Sequence, residues 1–110
     1  MEITYMNKEL DKRAIYKHTR ASAISLKDIE DGTIIHPVEV CVYNDVNSKG
    51  EDNTITSIVD EGGTHYATNS KFFREELLYI LNLLSGEDFE IIVRKQLSKG
   101  GRTFVTCELA

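Results

Sequence analysis

Alternation of apolar with other residues recurs along this chain, and a period of two predicts β-strands. In the first such stretch the three valines of residues 38–42 share one face, while Tyr43 falls on the other. Turn-forming residues separate the stretches, as Asp60 and the glycines after it do. The predicted strands are residues 33–43, 54–59, 64–68, 88–95 and 102–109.

A repeat of three and four residues follows the third strand and predicts an amphipathic helix. Asn69 or Ser70 can cap the N-terminus of this helix, and Gly86 can end it. We expect its apolar stripe to fill a core rather than to mark a cofactor pocket. The stripe consists of Phe73, Leu77, Ile80, Leu81 and Leu84.

The order of these elements favours a mainly β fold, an OB-like barrel with one α-helix between the third and fourth strands. Other α+β sandwiches share this order and stay open as alternatives. The chain of 110 residues supports one hydrophobic core, so we expect a single OB-like domain over residues 1–110. Residues 1–25 fit an N-terminal arm or a short helix packed on it.

The formal net charge of −5 argues against coating of nucleic acid by global charge. Phosphate contacts depend instead on where the cations lie, and four of them cluster near the end of the chain with no acid between them. These cations are Arg94, Lys95, Lys99 and Arg102. Acidic residues are concentrated in the middle, at Glu51, Asp52, Asp60 and Glu61.

The remaining chemistry argues against a catalytic or metal site. Cys41 and Cys107 lack the paired spacing of a zinc site, so we expect two buried free thiols in a reducing compartment. The three histidines are isolated in sequence, so we expect no enzyme activity and no cofactor. The chain start lacks signal-peptide features and no apolar run reaches about 18 residues, so we expect a cytoplasmic protein without a membrane partner.

The last strand carries the clearest functional pattern. Arg102, Phe104 and Thr106 share its outward face, which puts a cation beside an aromatic ring. Unpaired bases stack on aromatic rings for about 1–3 kcal/mol each while cations neutralise the backbone, so the pattern favours single-stranded nucleic acid. A solvated cationic face with packed rings is the alternative interpretation. The predicted binding residues are Tyr43, Lys49, Tyr66, Lys71, Arg94, Lys95, Lys99, Arg102 and Phe104.

Residues 66–73 and 98–107 resemble a family of small phage single-stranded-DNA-binding proteins. The most specific part is the Ser-Lys-x-Gly-Arg-x-Phe pattern that starts at Ser98, and the resemblance covers about residues 32–109. It implies an OB fold and sequence-tolerant coating of single-stranded DNA during replication or recombination. It also implies phosphate contacts for Lys99 and Arg102, and stacking or packing for Phe104.

The sequence is therefore consistent with two classes of function. The first is a single-stranded-DNA-binding protein, with replication or recombination proteins and further copies of the chain as additional partners left open. The second is a small phage-encoded inhibitor or interaction protein, which would use the acidic residues 51, 52, 60 and 61 to bind a host or defence protein.

Overall fold

The structure, a computed structural model, describes residues 1–46 and 48–110, which form two helices and two open β-sheets. The helices are α1 (Lys12–Arg20) and α2 (Lys71–Leu84). The strands are β1 (Glu2–Met6), β2 (Ile24–Ser25), β3 (Ile34–Ile35), β4 (Pro37–Val46), β5 (Asp52–Asp60), β6 (His65–Thr68), β7 (Ile91–Leu97) and β8 (Thr103–Leu109). One sheet has the order β1-β4-β5-β6-β2 and the other the order β3-β7-β8. Neither helix is long and apolar enough to cross a membrane.

A bend at His36 joins the two sheets. Only this residue separates β3 from β4, yet β3 pairs with β7 and β4 pairs with β5. The register of β4 with β5 shifts between Pro37 and Glu39, as it does where a bulge turns a strand. The stretch predicted as one strand is therefore shared between two sheets. The fold is mainly β as predicted, and no closed barrel forms among the described residues.

The main core forms where α2 packs against residues of both sheets. Ser70 caps the helix, as predicted, by accepting a hydrogen bond from the backbone N–H of Phe73 at 3.2 Å. The helix ends at Ser85, whose φ of 37° is left-handed, followed by Gly86 with a φ of 89°. The buried residues of the core are Leu26, Ile35, Val40, Ile58, Phe73, Leu77, Ile80, Ile91, Val93, Val105 and Cys107.

The first helix in the chain, α1, covers part of the outer face of the five-stranded sheet. Leu10, Cys41 and Tyr43 form a smaller buried cluster there, with Ala14 and Ile15 of α1 packed against it. Tyr43 lies on the face away from Val40, as predicted, but α1 covers this face and only 7% of the residue is exposed, so its role in stacking stays a prediction. Alternation along β4 separates its two faces correctly, but it does not reveal that another element covers the second face.

Both cysteines are buried and free, as predicted, and they lie in different clusters. Cys107 belongs to the main core and Cys41 lies under α1. Burial, with smaller effects of Glu76 and Glu108, raises the pKa of the Cys107 thiol to about 12. This thiol therefore stays protonated at neutral pH and acts as an apolar core group.

A buried hydrogen-bond network fastens α1 to the sheet. His18 of α1 contacts the hydroxyl of Ser57 through Nδ1 at 2.7 Å and the carboxylate of Glu39 through Nε2 at 3.0 Å. The same hydroxyl contacts Nε2 of His65 at 2.7 Å. Lys17 adds a bond from its Nζ to the carbonyl of Gly63 at 2.8 Å. Histidines that are isolated in sequence thus meet on one serine.

This network makes stability depend on pH. Burial lowers the pKa of His18, against the opposing Glu39 hydrogen bond, and burial also lowers the pKa of His65. A lowered folded-state pKa contributes stability above the unfolded value of 6.5, and this contribution is lost as pH falls through the folded value. We expect the thermal unfolding midpoint to fall between about pH 7.5 and about pH 5.5.

His36 acts in the opposite direction and is the control. Its hydrogen bond to Asp88, with the nearby Glu61, raises the pKa of His36, so its contribution is present below 6.5 and lost at higher pH. The measurement should therefore use His36→Ala, in which the fall toward low pH is steeper. His18→Gln should be less stable at neutral pH and flatter in its pH profile; a flat profile in His36→Ala itself contradicts the account.

Candidate nucleic-acid interface

Two phenylalanine rings meet at the surface where α2 begins beside β8. The ring centroids of Phe72 and Phe104 are 4.6 Å apart, and the ring planes are tilted by 41°. Phe72 is 55% exposed and Phe104 is half-buried. The cap explains this contact, because the Ser70 hydroxyl also donates to the carbonyl of Val105 on β8. The first turn of α2 is thereby held against that strand.

Lysines flank this aromatic pair in a surface groove. Lys27, which follows β2, and Lys71, which begins α2, both line the groove and are both exposed. Lys71 forms an exposed ion pair with Glu75 at 3.7 Å, which is a weak restraint on its ammonium group. The other lining residues are Asn69, Ser70, Thr103 and Val105. Aromatic faces between cations are the arrangement that binds unpaired bases and their phosphates.

A second shallow groove continues the first across the outer side of the five-stranded sheet. The two share Lys27 and Asn69 and therefore adjoin; we refer to them together as the trough, which extends from Phe104 to Ala23, three residues after α1. Small side chains leave the floor of this trough open. The residues that line its second half are Ala23, Ser25, Lys27, Ile55, Ala67, Thr68 and Asn69.

The hairpin between β7 and β8 holds two predicted cations at the same end of the molecule as the rings. Lys99 and Arg102 are both exposed, and neither forms an ion pair within residues 1–46 and 48–110. The turn closes through the Gly101 N–H, which donates to the Ser98 carbonyl at 2.9 Å. Gly101 has a φ of 81°, a conformation that favours glycine. Arg102 precedes Phe104 by two residues, which places both on one face of an extended chain.

The other two predicted cations of this region have partners inside the protein. Arg94 binds Glu108 through Nε at 3.1 Å and lies 3.9 Å from a carboxylate oxygen of Asp31. Lys95 donates from Nζ to the carbonyl of Lys27 at 2.6 Å. Either side chain would have to give up these contacts to reach a phosphate. Their role in binding stays a prediction.

The remaining predicted residues do not line the groove that holds the rings. Tyr66 is half-buried on β6 and packs against the main core; it sits opposite Ile58, whose face it shares. Burial, with a smaller effect of Asp60, raises the pKa of Tyr66. Tyr43 is covered by α1, and Lys49 is exposed in the segment between β4 and β5. Of the nine predicted residues, the trough itself contains Lys71 and Phe104.

Sequence reasoning missed Phe72 and Lys27. A signal for Phe72 was present, because the apolar stripe of α2 uses Phe73 and turns its neighbour away from the core. Lys27 carries no such signal. It reaches the groove because Leu26 is buried in the main core and donates its backbone N–H to the carbonyl of Ala67 at 3.1 Å.

A comparison with protein families decides what this surface belongs to. A family model described as phage single-stranded DNA-binding protein matches residues 6–110. The chain belongs to the phage single-stranded DNA-binding protein family. No curated protein and no solved structure matches the chain. The resemblance of residues 66–73 and 98–107 is thereby confirmed, and single-stranded DNA is the partner that membership of this family indicates.

For this phage single-stranded DNA-binding protein, the ring pair generates a direct prediction. Phe72→Leu and Phe104→Leu keep apolar bulk but remove the aromatic face, so each should weaken binding of oligo-dT by about 1–3 kcal/mol. Fluorescence anisotropy titration measures this loss. Tyr79→Leu is the matched control, because Tyr79 is 63% exposed on the same helix and does not line the trough. Equal affinities for all three variants and the native chain would contradict the assignment.

Proposed function

We propose that the chain coats single-stranded DNA with little sequence preference during phage replication or recombination. The observation that carries this proposal is the Phe72–Phe104 pair between Lys27 and Lys71. Every base has a π-face, so stacking on these rings tolerates any sequence. Such binding does not require side chains that form hydrogen bonds with the edges of particular bases.

The strand order supports an OB-like arrangement. If β3 and β4 are taken as one strand bent at His36, the series becomes this bent strand, β5, β6, α2, β7 and β8. The helix α2 then lies between the third and fourth strands of this series. The bent strand pairs with β5 in one sheet and with β7 in the other. That is the plan of a partly open five-stranded barrel, with β1 and β2 as additions at the edges.

Local charge is sufficient for binding despite the acidic total. Four exposed cations surround the rings and the hairpin beside them, and single-stranded binding depends on salt with a slope of about −0.7 per neutralised phosphate. We therefore expect a log–log salt slope of about −3 from this end of the molecule. The four cations are Lys27, Lys71, Lys99 and Arg102.

We also propose that the protein is not an enzyme. Ser57, His18 and Glu39 have the residue types of a nucleophilic triad and are hydrogen-bonded in series. However, Ser57 is 0% exposed beneath α1, so no substrate atom can reach its hydroxyl. The series serves to hold α1 in place.

The alternative of an acidic docking surface receives less support from the structure. Glu51 and Asp52 lie at the start of β5, whereas Asp60 and Glu61 lie at its end. A strand of nine residues separates the two pairs by about 25 Å. The Asp60 carboxylate is also engaged, since it accepts from the N–H groups of Gly62 and Thr64. The four acids do not form one patch.

Titration of labelled oligo-dT at several salt concentrations tests the proposed function. We expect micromolar or tighter binding, similar affinity for oligo-dT and mixed-sequence oligonucleotides, and weaker binding of duplex. Arg102→Ala should reduce the magnitude of the salt slope by about 0.7. Lys8→Ala is the matched control, because Lys8 lies near Gly86, at the far end of α2 from Phe72. Absence of salt-sensitive binding at micromolar protein would overturn the proposal.

A further inference from the structure

The exposed face of α1 is a second concentration of positive charge outside the trough, besides the β7–β8 hairpin. Lys12, Tyr16 and Arg20 are spaced by four residues and so share one face, with Arg13 beside them. All four are exposed, and Tyr16 is 66% exposed. The helix contains no acidic residue. We call these four residues the α1 basic face.

Two of the three charges of this face do not stabilise the helix that carries them, whereas Arg20 lies in the last turn, where a cation is favourable. Lys12 and Arg13 occupy the first turn, where the positive end of the helix dipole disfavours cations. Arg13 and Lys17 are a like-charged pair spaced by four residues, which is also unfavourable. Among the described residues, no carboxylate forms an ion pair with Lys12, Arg13 or Arg20. A bound polyanion would relieve each of these conflicts.

The basic face continues the trough in space. Ala23, which lines the second half of the trough, follows Arg20 by only three residues, a span of at most about 10 Å. Ile55 also lines the trough, and it pairs across the sheet with Tyr43, which packs beneath α1. The end of the trough and the end of α1 are therefore neighbours.

We propose that the α1 basic face is a second segment of the single-stranded-DNA site. The strand runs from the Phe72–Phe104 pair along the trough to α1. Lys12, Arg13 and Arg20 contact phosphates there, and Tyr16 offers its ring to a base. This inference rests on the proposed function and extends the same site. Its occupant is a phosphodiester strand because the four residues of the face supply three cations and one aromatic ring.

Oligonucleotide length separates the two segments. An oligo-dT of about 4 nucleotides fits the aromatic pair alone, whereas one of about 12 nucleotides reaches both segments. The test variant carries Lys12→Gln, Arg13→Gln and Arg20→Gln together in the full chain. We expect the magnitude of its salt slope on the longer strand to fall by about 2, with binding of the shorter strand unchanged.

Two further variants keep this test decisive. Lys12→Arg, Arg13→Lys and Arg20→Lys together retain the charges and should retain the native slope on the longer strand. Tyr16→Leu should weaken binding of the longer strand only. Lys12→Gln and Arg13→Gln remove unfavourable charges and Arg20→Gln removes a favourable one, so the thermal unfolding midpoint of the triple variant should change little.

The outcomes distinguish this inference from the proposed function beneath it. A native slope and affinity for the triple Gln variant on the longer strand would overturn the α1 inference and leave the groove assignment standing. Failure of the native chain to bind either strand would overturn the proposed function itself. Loss of binding on both lengths in the triple Gln variant would also contradict a separate second segment.

Discussion

The candidate site depends on two hydrogen bonds that the hydroxyl of Ser70 forms. The hydroxyl accepts a hydrogen bond from the N–H of Phe73, and this bond caps the N-terminus of α2. It also donates to the carbonyl of Val105, and this bond holds the start of the helix against β8. These two bonds hold the first turn of α2, which carries Phe72, beside β8, which carries Phe104, and the two rings are in contact. The residue that caps α2 thus also connects this helix to a strand 35 residues further along the chain, and the Phe72–Phe104 pair lies at this junction.

The bend at His36 links the two sheets whose strands contribute to this site. One continuous stretch of extended chain belongs to both sheets, and α2 packs between them on a shared core. The outer side of the larger sheet is divided: α1 covers the part around Tyr43, and the trough occupies the part around Ala67.

The sequence predicted the elements better than their environment. The period of two located most of the strands, and the repeat of three and four residues located α2, because burial of one face imposes those patterns locally. The same patterns placed Tyr43 on the correct face of β4 but could not show that α1, from a distant part of the chain, covers that face. The partners of Arg94, which was predicted to bind nucleic acid, were not foreseen for a similar reason: Glu108 comes from the neighbouring strand and Asp31 from a distant turn. Lys27 joins the site through tertiary packing alone, whereas Phe72 was visible beside Phe73.

Photocrosslinking tests the central claim, that the ring pair and its lysines form the binding surface, most directly. The full chain is irradiated with an iododeoxyuridine oligonucleotide, and crosslinked residues are identified by mass spectrometry. The account predicts crosslinks at Phe72 and Phe104, with competition by unlabelled oligo-dT. Crosslinks confined to the segment around Lys49, or to Tyr79 and the C-terminal half of α2, would contradict it.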